Sequence, residues 1–254
     1  MLRCDRVALS VPGRRLCTAL SATFEAGEVW AVLGRNGTGK TTLVHALAGL
    51  TRPSNGAIEL DGRGVTDVSA RERARKLGVL LQIEEGTYWG TVFDYVLLGR
   101  YPHAARWAGF GRDDRAIARS ALDAVGMSAF AARRYATLSG GERQRVRIAQ
   151  ILAQQPRVLL FDEPLQHLDL AHQALVLSIV AARARDNRET AVMVLHEPLW
   201  IARSCTHALV LMGDGEVAAG AADELLTRER LEHAYGLKLR EVDAGDGRCF
   251  VPAI

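Results

Sequence analysis

The stretch VWAVLGRNGTGKTT, residues 29–42, decides the fold of this chain. Its first five residues, Val29–Leu33, are all apolar, as in a buried parallel strand. The residues that follow contain the pattern G-x-x-x-x-G-K-[ST]. Its glycines let the backbone curl so that successive N–H groups point at phosphate oxygens. A strand, this loop and a helix in that order form a P-loop, so the sequence predicts a phosphate-binding α/β fold.

The residue types in the loop suit a nucleoside triphosphate with Mg²⁺. We expect Lys40 to reach the β- and γ-phosphates, Thr41 to offer its hydroxyl to Mg²⁺, and Thr42 to add a phosphate contact. The helix that follows directs its positive end at the same place. The predicted nucleotide-binding residues here are Gly34, Arg35, Asn36, Gly37, Thr38, Gly39, Lys40, Thr41 and Thr42.

Two acidic residues follow a second apolar run. Val158–Phe161 reads as a buried strand, and Asp162 and Glu163 come directly after it. Ligands bind at the carboxyl ends of the strands in sheets of this kind. We therefore expect Asp162 to hold Mg²⁺ through water, and Glu163 to orient and polarise the attacking water.

Composition narrows the class of protein. A chain of 254 residues with 48% hydrophobic residues can bury a sizeable core, so disorder is not expected. A net charge of +3 is too small to argue for a nucleic-acid partner, and we expect none. The four cysteines form no C-x-x-C pair, which favours reduced thiols over a disulfide framework or a zinc site. No apolar run approaches the ~20 residues of a membrane-spanning helix, so we expect neither such a helix nor a signal peptide.

The apolar pattern predicts strands that alternate with helices, and hence a mostly parallel sheet. Residues 2–24 alternate around Pro12-Gly13 as an antiparallel hairpin, and Ala57–Leu60 reads as a further short strand. The other predicted strands are Leu77–Leu81, Ala191–Leu195, Ala208–Met212 and the edge strand Cys249–Pro252. The predicted helices are Lys40–Leu50, Arg115–Val125, Glu142–Gln154, His172–Arg185 and a short one in the tail that begins at Leu225.

The segment LSGGERQRVRIAQ, residues 138–150, carries a second signal. Ser139-Gly140-Gly141-Glu142 fits the capping-box pattern S-x-x-E, and two starts stay open for the helix: directly after Ser139, or a residue or two further on. Glycines leave the N–H groups of a helix N-terminus uncovered, which makes an anion site. Because the P-loop already serves the phosphates of this chain, the second site makes sense if it serves a different nucleotide.

With LSGGE just upstream of Asp162-Glu163-Pro164, the chain resembles the ATP-binding cassette (ABC) family over essentially its whole length. The resemblance implies an ATPase with ATP and Mg²⁺, in which two cassettes dimerise head to tail. Ser139, Gly140 and Gly141 of one copy would then close over the nucleotide held by Lys40 of the other. It also implies a P-loop cassette in which the mostly parallel core sheet carries an N-terminal antiparallel β subdomain and an inserted helical subdomain. We expect a single domain, 1–254, with the core in about 1–82 and 156–254 and the helical part in about 83–155.

Further positions match the family one by one. Gln82 resembles the Q-loop glutamine that contacts Mg²⁺ and signals to the membrane subunit, and Asp169 resembles the D-loop aspartate of the dimer interface. His196 resembles the switch histidine that contacts the γ-phosphate. The catalytic set implied is Glu163, His196 and Gln82, and the metal-binding set is Thr41, Gln82 and Asp162.

Three positions depart from the family pattern. Val11 stands nearest the place of the usual adenine-stacking aromatic residue, which predicts weak selectivity between ATP and GTP. Glu197 follows the switch histidine where aspartate is usual. His167 lies before the D-loop, where the sequence alone suggests a surface role.

The segment 91–103, TVFDYVLLGRYPH, indicates the type of cassette. Thr91 and Asp94 can cap a helix, and the GR-x-PH ending resembles cassettes of importers for ferric siderophores, haem and cobalamin. The tail LEHAYGLKLREVD, residues 231–243, resembles the end of cobalamin-importer cassettes, which favours cobalamin slightly. The aromatic residues Tyr88, Trp89, Tyr101 and Trp107 fit core packing of the helical part, and some of them are expected to line the groove for a coupling helix of the permease.

The implied partners are a second copy of the chain, integral membrane permease subunits and, indirectly, a periplasmic substrate-binding protein. The implied location is the cytoplasmic face of the inner membrane. Two alternatives stay open: the ATPase subunit of an exporter, and a soluble ABC ATPase without a transport role. Neither a long coiled coil nor a second cassette is visible, which disfavours the soluble class.

Overall fold

The computed structural model describes residues 1–82, 88–104, 109–243 and 248–253. The strands are β1 (Leu2–Val11), β2 (Arg14–Phe24), β3 (Val29–Leu33), β4 (Asn55–Leu60), β5 (Arg63–Gly64), β6 (Leu77–Leu80), β7 (Val158–Phe161), β8 (Thr190–Val194), β9 (His207–Leu211), β10 (Val217–Ala221), β11 (Leu239–Asp243) and β12 (Arg248–Pro252). The helices are α1 (Lys40–Leu47), α2 (Ala70–Lys76), α3 (Val92–Leu97), α4 (Arg112–Ala124), α5 (Gly140–Gln154), α6 (Leu170–Asn187), α7 (Pro198–Ser204), α8 (Ala222–Leu225) and α9 (Arg228–Tyr235).

A six-stranded sheet in the order β10-β9-β3-β8-β7-β6 forms the centre of the fold. Its strands are parallel except β10, which runs antiparallel to β9 at the edge. Leu80 pairs with Phe161, and Phe161 pairs with Met193. The segments that follow β6, β7 and β8 therefore emerge side by side at one edge of the sheet, which is where ligands bind in such folds.

The predicted hairpin of residues 2–24 is confirmed, with Val11 paired to Arg14 across its turn. It belongs to a separate antiparallel sheet in the order β2-β1-β4-β5. The fold class expected from the sequence is therefore correct: a mostly parallel core sheet, an antiparallel N-terminal sheet, and helices α3 to α5 inserted between β6 and β7.

Strand β3 is buried on both faces, which explains its unbroken apolar sequence. Val29, Ala31 and Leu33 pack with the inserted helices and the C-terminal segment. Trp30 and Val32 face the other way, towards α1 and the antiparallel sheet. The P-loop is thus attached to a strand that is covered by apolar side chains on both faces.

The GR-x-PH segment fastens the inserted helices to the core. The buried Arg100 side chain donates to the Asp114 carboxylate at 2.9 Å and to the carbonyl oxygen of Ala153 at 2.9 Å. The carbonyl oxygen of Pro102 accepts from Arg71 at 3.0 Å and from Arg75 at 2.8 Å. The motif that resembles importer cassettes therefore has an architectural role in this chain.

Several boundaries differ from the sequence prediction. Helix α1 ends at Leu47, since Gly49 adopts a left-handed conformation. Helix α5 begins directly after Ser139 instead of at Glu142, because the capping box forms. Strand β6 ends at Leu80, so Gln82 lies in the loop beyond it. Helices α4 and α6 are longer than predicted at their N-termini.

The C-terminal part is more structured than the sequence indicated. The expected short helix is present as α9, preceded by α8, and Cys249–Pro252 belongs to β12. Instead of extending the central sheet, β12 pairs with β11 in a two-stranded sheet of its own. Among the described residues, no helix is long and apolar enough to cross a bilayer.

Candidate functional site

The loop after β3 surrounds a cleft with backbone groups. At two positions in this loop, neighbouring residues lie so close to the backbone that only glycine fits. Gly34 has a φ of 141°, and a Cβ atom on it would lie 2.6 Å from the carbonyl oxygen of Leu211. Gly39 has a φ of 104°, and its Cβ atom would lie 2.9 Å from the Leu16 side chain. Helix α1 begins at the next residue, Lys40, so its N-terminal N–H groups face the same cleft.

Lys40 is held inside this loop. Its Nζ atom donates to the carbonyl oxygens of Gly34 at 2.8 Å and Arg35 at 3.0 Å. Burial lowers the pKa of the Lys40 ammonium, and the nearby carboxylates of Glu163 and Asp162 oppose that shift. These two carbonyl contacts hold the charged end of Lys40 where phosphate oxygens would compete for it.

Some of the other side chains of the loop line the cleft, and others contact the surrounding protein. Asn36, Thr41 and Thr42 line the cleft. Thr38 is buried and donates through Oγ1 to the carbonyl oxygen of Arg35 at 2.9 Å, so its side chain serves the loop itself. The Arg35 guanidinium lies against Gly236, 3.1 Å from the position of a Cβ atom there. Sequence reasoning did not anticipate that the C-terminal segment touches the loop.

Asp162 is a buried carboxylate to which no neighbouring group donates a well-aligned hydrogen bond. It is 1% exposed, and both of its oxygens lack a partner of acceptable geometry. Burial raises the pKa of Asp162, and the adjacent Thr41 hydroxyl only partly offsets that effect. An unsatisfied buried carboxylate beside a threonine hydroxyl is a donor set of hard oxygens, which suits a divalent cation such as Mg²⁺.

Three side chains contact the Glu163 carboxylate. Its Oε1 atom lies 2.9 Å from Nε2 of His196. Its Oε2 atom accepts from the Gln82 amide at 3.1 Å and from the Gln166 amide. The three residues that the sequence assigned to catalysis are therefore brought together, with Gln166 as an addition that the sequence reasoning missed.

The backbone at Glu163 is also unusual. Glu163 has a φ of 53°, in the left-handed region that is rare for a residue with a side chain. The Gln144 amide, on α5, donates to the carbonyl oxygens of Pro164 at 3.0 Å and Glu163 at 3.4 Å. Helix α5 thus helps to hold the turn that aims the Glu163 carboxylate into the cleft.

A cleft of about 580 Å³ joins the P-loop to these carboxylate contacts. Besides the P-loop residues, its lining includes Gln82, Glu163, Gln166 and His196, together with Val11, Arg14 and Leu16 from the N-terminal hairpin. Lys40, Thr41, Gln82, Glu163 and His196 thus share one concave site, whereas the buried Asp162 lies beneath its lining.

The signature residues lie elsewhere. Ser139, Gly140, Gly141 and Asp169 do not line the cleft. Ser139 completes a capping box with Glu142: the Ser139 N–H donates to Glu142 at 2.7 Å, and the Glu142 N–H donates to Ser139 at 3.3 Å. Asp169 caps α6 by accepting from the His172 N–H at 2.9 Å. Within one chain, these residues are separate from the P-loop site.

His167 has a structural role that the sequence did not reveal. It has a φ of 63°, and its side chain packs on Gly140. A Cβ atom on Gly141 would lie 2.7 Å from the His167 carbonyl oxygen. Gly141 is therefore needed for close packing within the chain, whatever else it binds. Glu197 stands before α7 without capping it through its side chain.

The comparisons with known proteins agree with this site. The ABC transporter family model matches residues 17–166. A hemin import ATP-binding protein of Gloeobacter violaceus is 40% identical over 94% of this chain and 88% of its own length. The ferric enterobactin transport ATP-binding protein of Escherichia coli is 34% identical over 95% of this chain and 89% of its own.

Two solved structures extend the agreement to three dimensions. An inward-facing transporter described as metal-chelate type matches with a TM-score of 0.85 at 29% identity, covering 100% of this chain and 97% of that chain. A dimeric bacterial ABC transporter cassette matches with a TM-score of 0.75 at 25% identity, covering 87% and 98%. The fold, the cleft and the matches over nearly the full length lead to one conclusion: the chain belongs to the ABC transporter family and is an ATP-binding cassette ATPase.

Proposed function

We propose that this chain is the ATP-hydrolysing, energy-coupling subunit of an importer for haem or another iron chelate. The observation that carries the proposal is the Glu163 carboxylate, which Gln82, Gln166 and His196 hold in the lining of the P-loop cleft. A non-hydrolysing binding module would need neither the base nor its three partners.

The residues of the cleft would divide the work of hydrolysis between them. Lys40 and the N–H groups of the P-loop and α1 bind and orient the phosphates. Thr41, Asp162 and Gln82 would hold Mg²⁺, which neutralises phosphate charge when bound. Glu163 accepts a hydrogen bond from the attacking water and polarises it. His196 donates to the phosphate oxygen on which charge increases, which stabilises the transition state.

The signature residues support a head-to-tail dimer. Because Ser139, Gly140, Gly141 and Asp169 lie outside the cleft of their own chain, they are free to serve a nucleotide bound by a second copy. The N-terminus of α5 offers uncovered N–H groups for the γ-phosphate. Leu170 is 70% exposed beside Asp169, as expected of a residue that a second copy would cover. Two sandwiched nucleotides would then favour the closed dimer, since a ligand shifts an equilibrium only by its differential affinity.

The membrane partner would dock on the inserted helical part. Trp89 and Tyr101 are 77% and 72% exposed, which is unusual for aromatic residues and typical of interface anchors. Tyr88, in contrast, makes edge-to-face contacts with Tyr95 and Tyr135, so it belongs to core packing. Trp107 lies outside the described residues. We place the subunit on the cytoplasmic face of the inner membrane, bound to a permease that receives cargo from a periplasmic binding protein.

Haem and ferric siderophores are the first candidates for the cargo. The relatives with 40% and 34% identity are named for hemin and ferric enterobactin. Cobalamin, which the tail sequence favours slightly, comes after them. An exporter subunit and a soluble ABC ATPase remain the rival functions.

Uptake by a strain that lacks this chain tests the proposal. Labelled hemin, a ferric siderophore and cobalamin are supplied in parallel, and the strain is complemented with the wild type or with Glu163→Gln. Loss of hemin or siderophore uptake that only the wild type restores supports the proposal. Loss of cobalamin uptake alone would reassign the cargo, and normal uptake of all three would favour the exporter or the soluble class.

A further inference from the structure

The segments that carry Glu163 and His196 are also joined by a third residue, Gln173 of α6. Oε1 of Gln173 accepts a hydrogen bond from Nε1 of Trp200, in α7, at 2.8 Å. Nε2 of the same side chain donates to the carbonyl oxygen of Leu168 at 3.1 Å. Leu168 ends the turn that begins at Glu163, and Trp200 follows His196 in the next segment. We call these two hydrogen bonds the Gln173 bridge.

The amide of Gln173 has one orientation that satisfies both partners. An indole N–H can only donate a hydrogen bond, and a backbone carbonyl oxygen can only accept one. A flipped amide would set its NH₂ group against the Trp200 N–H and its oxygen against the Leu168 oxygen, so both hydrogen bonds would be lost. The bridge therefore connects α7 to the turn after β7 in a single arrangement.

The turn at residues 163–168 needs such support. Glu163 and His167 have φ values of 53° and 63°, in the left-handed region that costs energy for residues with a side chain. A turn of this kind persists where contacts with other elements hold it. The Gln144 amide holds its first residues, and Gln173 holds the carbonyl oxygen of its last residue, Leu168. The direction of the Glu163 side chain thus depends on helices at both ends of the turn.

The loop that carries His196 runs directly into α7. The residue before this helix, Glu197, makes no side-chain cap to it. Trp200 lies in the first turn of α7, and its hydrogen bond to Gln173 attaches that turn to α6. Because a shift of α7 would move the loop with it, the bridge also affects where His196 lies.

A cavity of about 230 Å³ adjoins the bridge. Its lining includes Glu163, Gln166, His196 and Gln173. Side chains do not fill this space, so close packing contributes less to the relative position of the two segments, and hydrogen bonds contribute more. Neither Gln173 nor Trp200 lines the nucleotide cleft, so any effect of theirs on hydrolysis passes through other residues.

We propose that Gln173 and Trp200 are positioning residues for ATP hydrolysis. Their hydrogen bond holds the turn that carries Glu163 and the loop that carries His196 in the relative position that hydrolysis requires. The inference rests on the proposed function, since it assumes that Glu163 and His196 act on a bound nucleotide. Small displacements of catalytic groups slow the chemical step without removing ground-state binding. Loss of the bridge is therefore expected to lower kcat and to leave KM unchanged.

Simple attachment of α6 to α7 is the competing role. The two helices also share the apolar core through the buried residues Val176 of α6 and Ile201 of α7. That packing does not need the bridge. If the bridge only joined the helices, its loss would lower the free energy of unfolding and leave kcat per folded molecule unchanged.

Steady-state ATPase kinetics of three variants of the full chain separate the two roles. Trp200→Phe removes the indole N–H and keeps an aromatic ring, whereas Gln173→Met keeps the length of the side chain and breaks both hydrogen bonds. The third variant combines the two changes. The matched control is Ser178→Ala, which removes an exposed hydrogen bond elsewhere on α6, from Ser178 to the carbonyl oxygen of Leu175. Circular dichroism and equilibrium binding of ATP with Mg²⁺ show that each variant is folded and binds nucleotide.

If the bridge positions the catalytic groups, Trp200→Phe lowers kcat by about fivefold, the rate factor that corresponds to one neutral hydrogen bond. Gln173→Met lowers it at least as much, while KM and the dissociation constant of ATP change by less than about twofold. The double variant then has the kcat of Gln173→Met alone, because its hydrogen bond to Trp200 is already broken. Ser178→Ala behaves like the wild type.

A wild-type kcat in either single variant overturns the inference. So does a change confined to KM, or a double variant in which the two single losses multiply. Lack of ATP hydrolysis by the wild type would instead count against the proposed function.

Discussion

Nε2 of His196 lies 2.9 Å from Oε1 of Glu163, although the two residues are 33 positions apart and follow different strands. The parallel pairing of β7 with β8 creates this contact, because Phe161 is in register with Met193 and both strands end at the same edge. The histidine and the carboxylate thus form one unit, in which the other carboxylate oxygen is held by Gln82 and Gln166.

Glu163→Gln is expected to reduce ATP turnover by ~10²–10⁴-fold, because the amide cannot polarise water as a carboxylate does. The change is isosteric, so ATP binding should persist and an ATP-stabilised dimer should accumulate. Steady-state ATPase assays and size-exclusion chromatography with ATP measure both effects. Normal turnover in this variant would show that another group is the base.

Gln166→Met is expected to lower kcat by about tenfold with little change in KM, since the Glu163 carboxylate loses one of the donors that fix its orientation. The matched control is Gln150→Met on α5, because the Gln150 side chain makes no hydrogen bond within the described part of the chain. A kcat equal to the wild type, or a change confined to KM, would contradict the positioning role of Gln166.

Ser139→Arg is expected to leave ATP binding intact and to abolish both dimer closure and most ATPase activity. The larger, charged side chain would fill the N-terminus of α5, where a second copy's nucleotide must approach. Equilibrium binding of ATP and the ATP-dependent shift in molecular mass separate the two effects. Unchanged activity would disprove the head-to-tail arrangement.

Gly141→Ala is expected to lower the free energy of unfolding by ~1–3 kcal/mol, because its new Cβ atom would lie 2.7 Å from the His167 carbonyl oxygen. The control is Gly220→Ala in β10, where a Cβ atom meets nothing within 4 Å. That variant should change stability by less than ~0.5 kcal/mol. Urea unfolding of both proteins tests the difference, and equal midpoints would rule out the close contact.

Burial raises the pKa of the Cys4 thiol from 9.0 to about 12, and the electrostatic effect of Cys17 is the smaller contribution to this rise. Cys4 is 2% exposed, and only the thiolate reacts with alkylating reagents, so labelling at pH 8 should be slow in the folded protein and fast in urea. The folded state keeps this proton between pH 9 and about 12, where the unfolded state releases it. The free energy of unfolding should therefore fall as pH rises through that interval. Fast labelling of Cys4 in the folded protein would contradict the burial.

The sequence predicted the parts of this protein that depend on neighbouring residues. The unbroken apolar run of β3, the glycines of the P-loop and the S-x-x-E cap each act over a few positions, so their patterns predicted strand, loop and helix start. The C-terminal sheet β11–β12 was harder to predict, because a weakly apolar tail acquires its structure by packing on α7 and α9.

The site residues show the same difference between features that local sequence determines and features that need the tertiary structure. The sequence by itself determined the P-loop, the Asp162-Glu163 pair and the identity of the ABC family, because these are short patterns with local conformations. Only the tertiary structure decided that Gln166 and His196 hold the Glu163 carboxylate, that His167 packs on Gly140, and that Arg14 lines the P-loop cleft. These contacts join distant segments or depend on where a turn aims a side chain. Strand register and the left-handed turns at residues 163 and 167 fix them, and no local pattern encodes either.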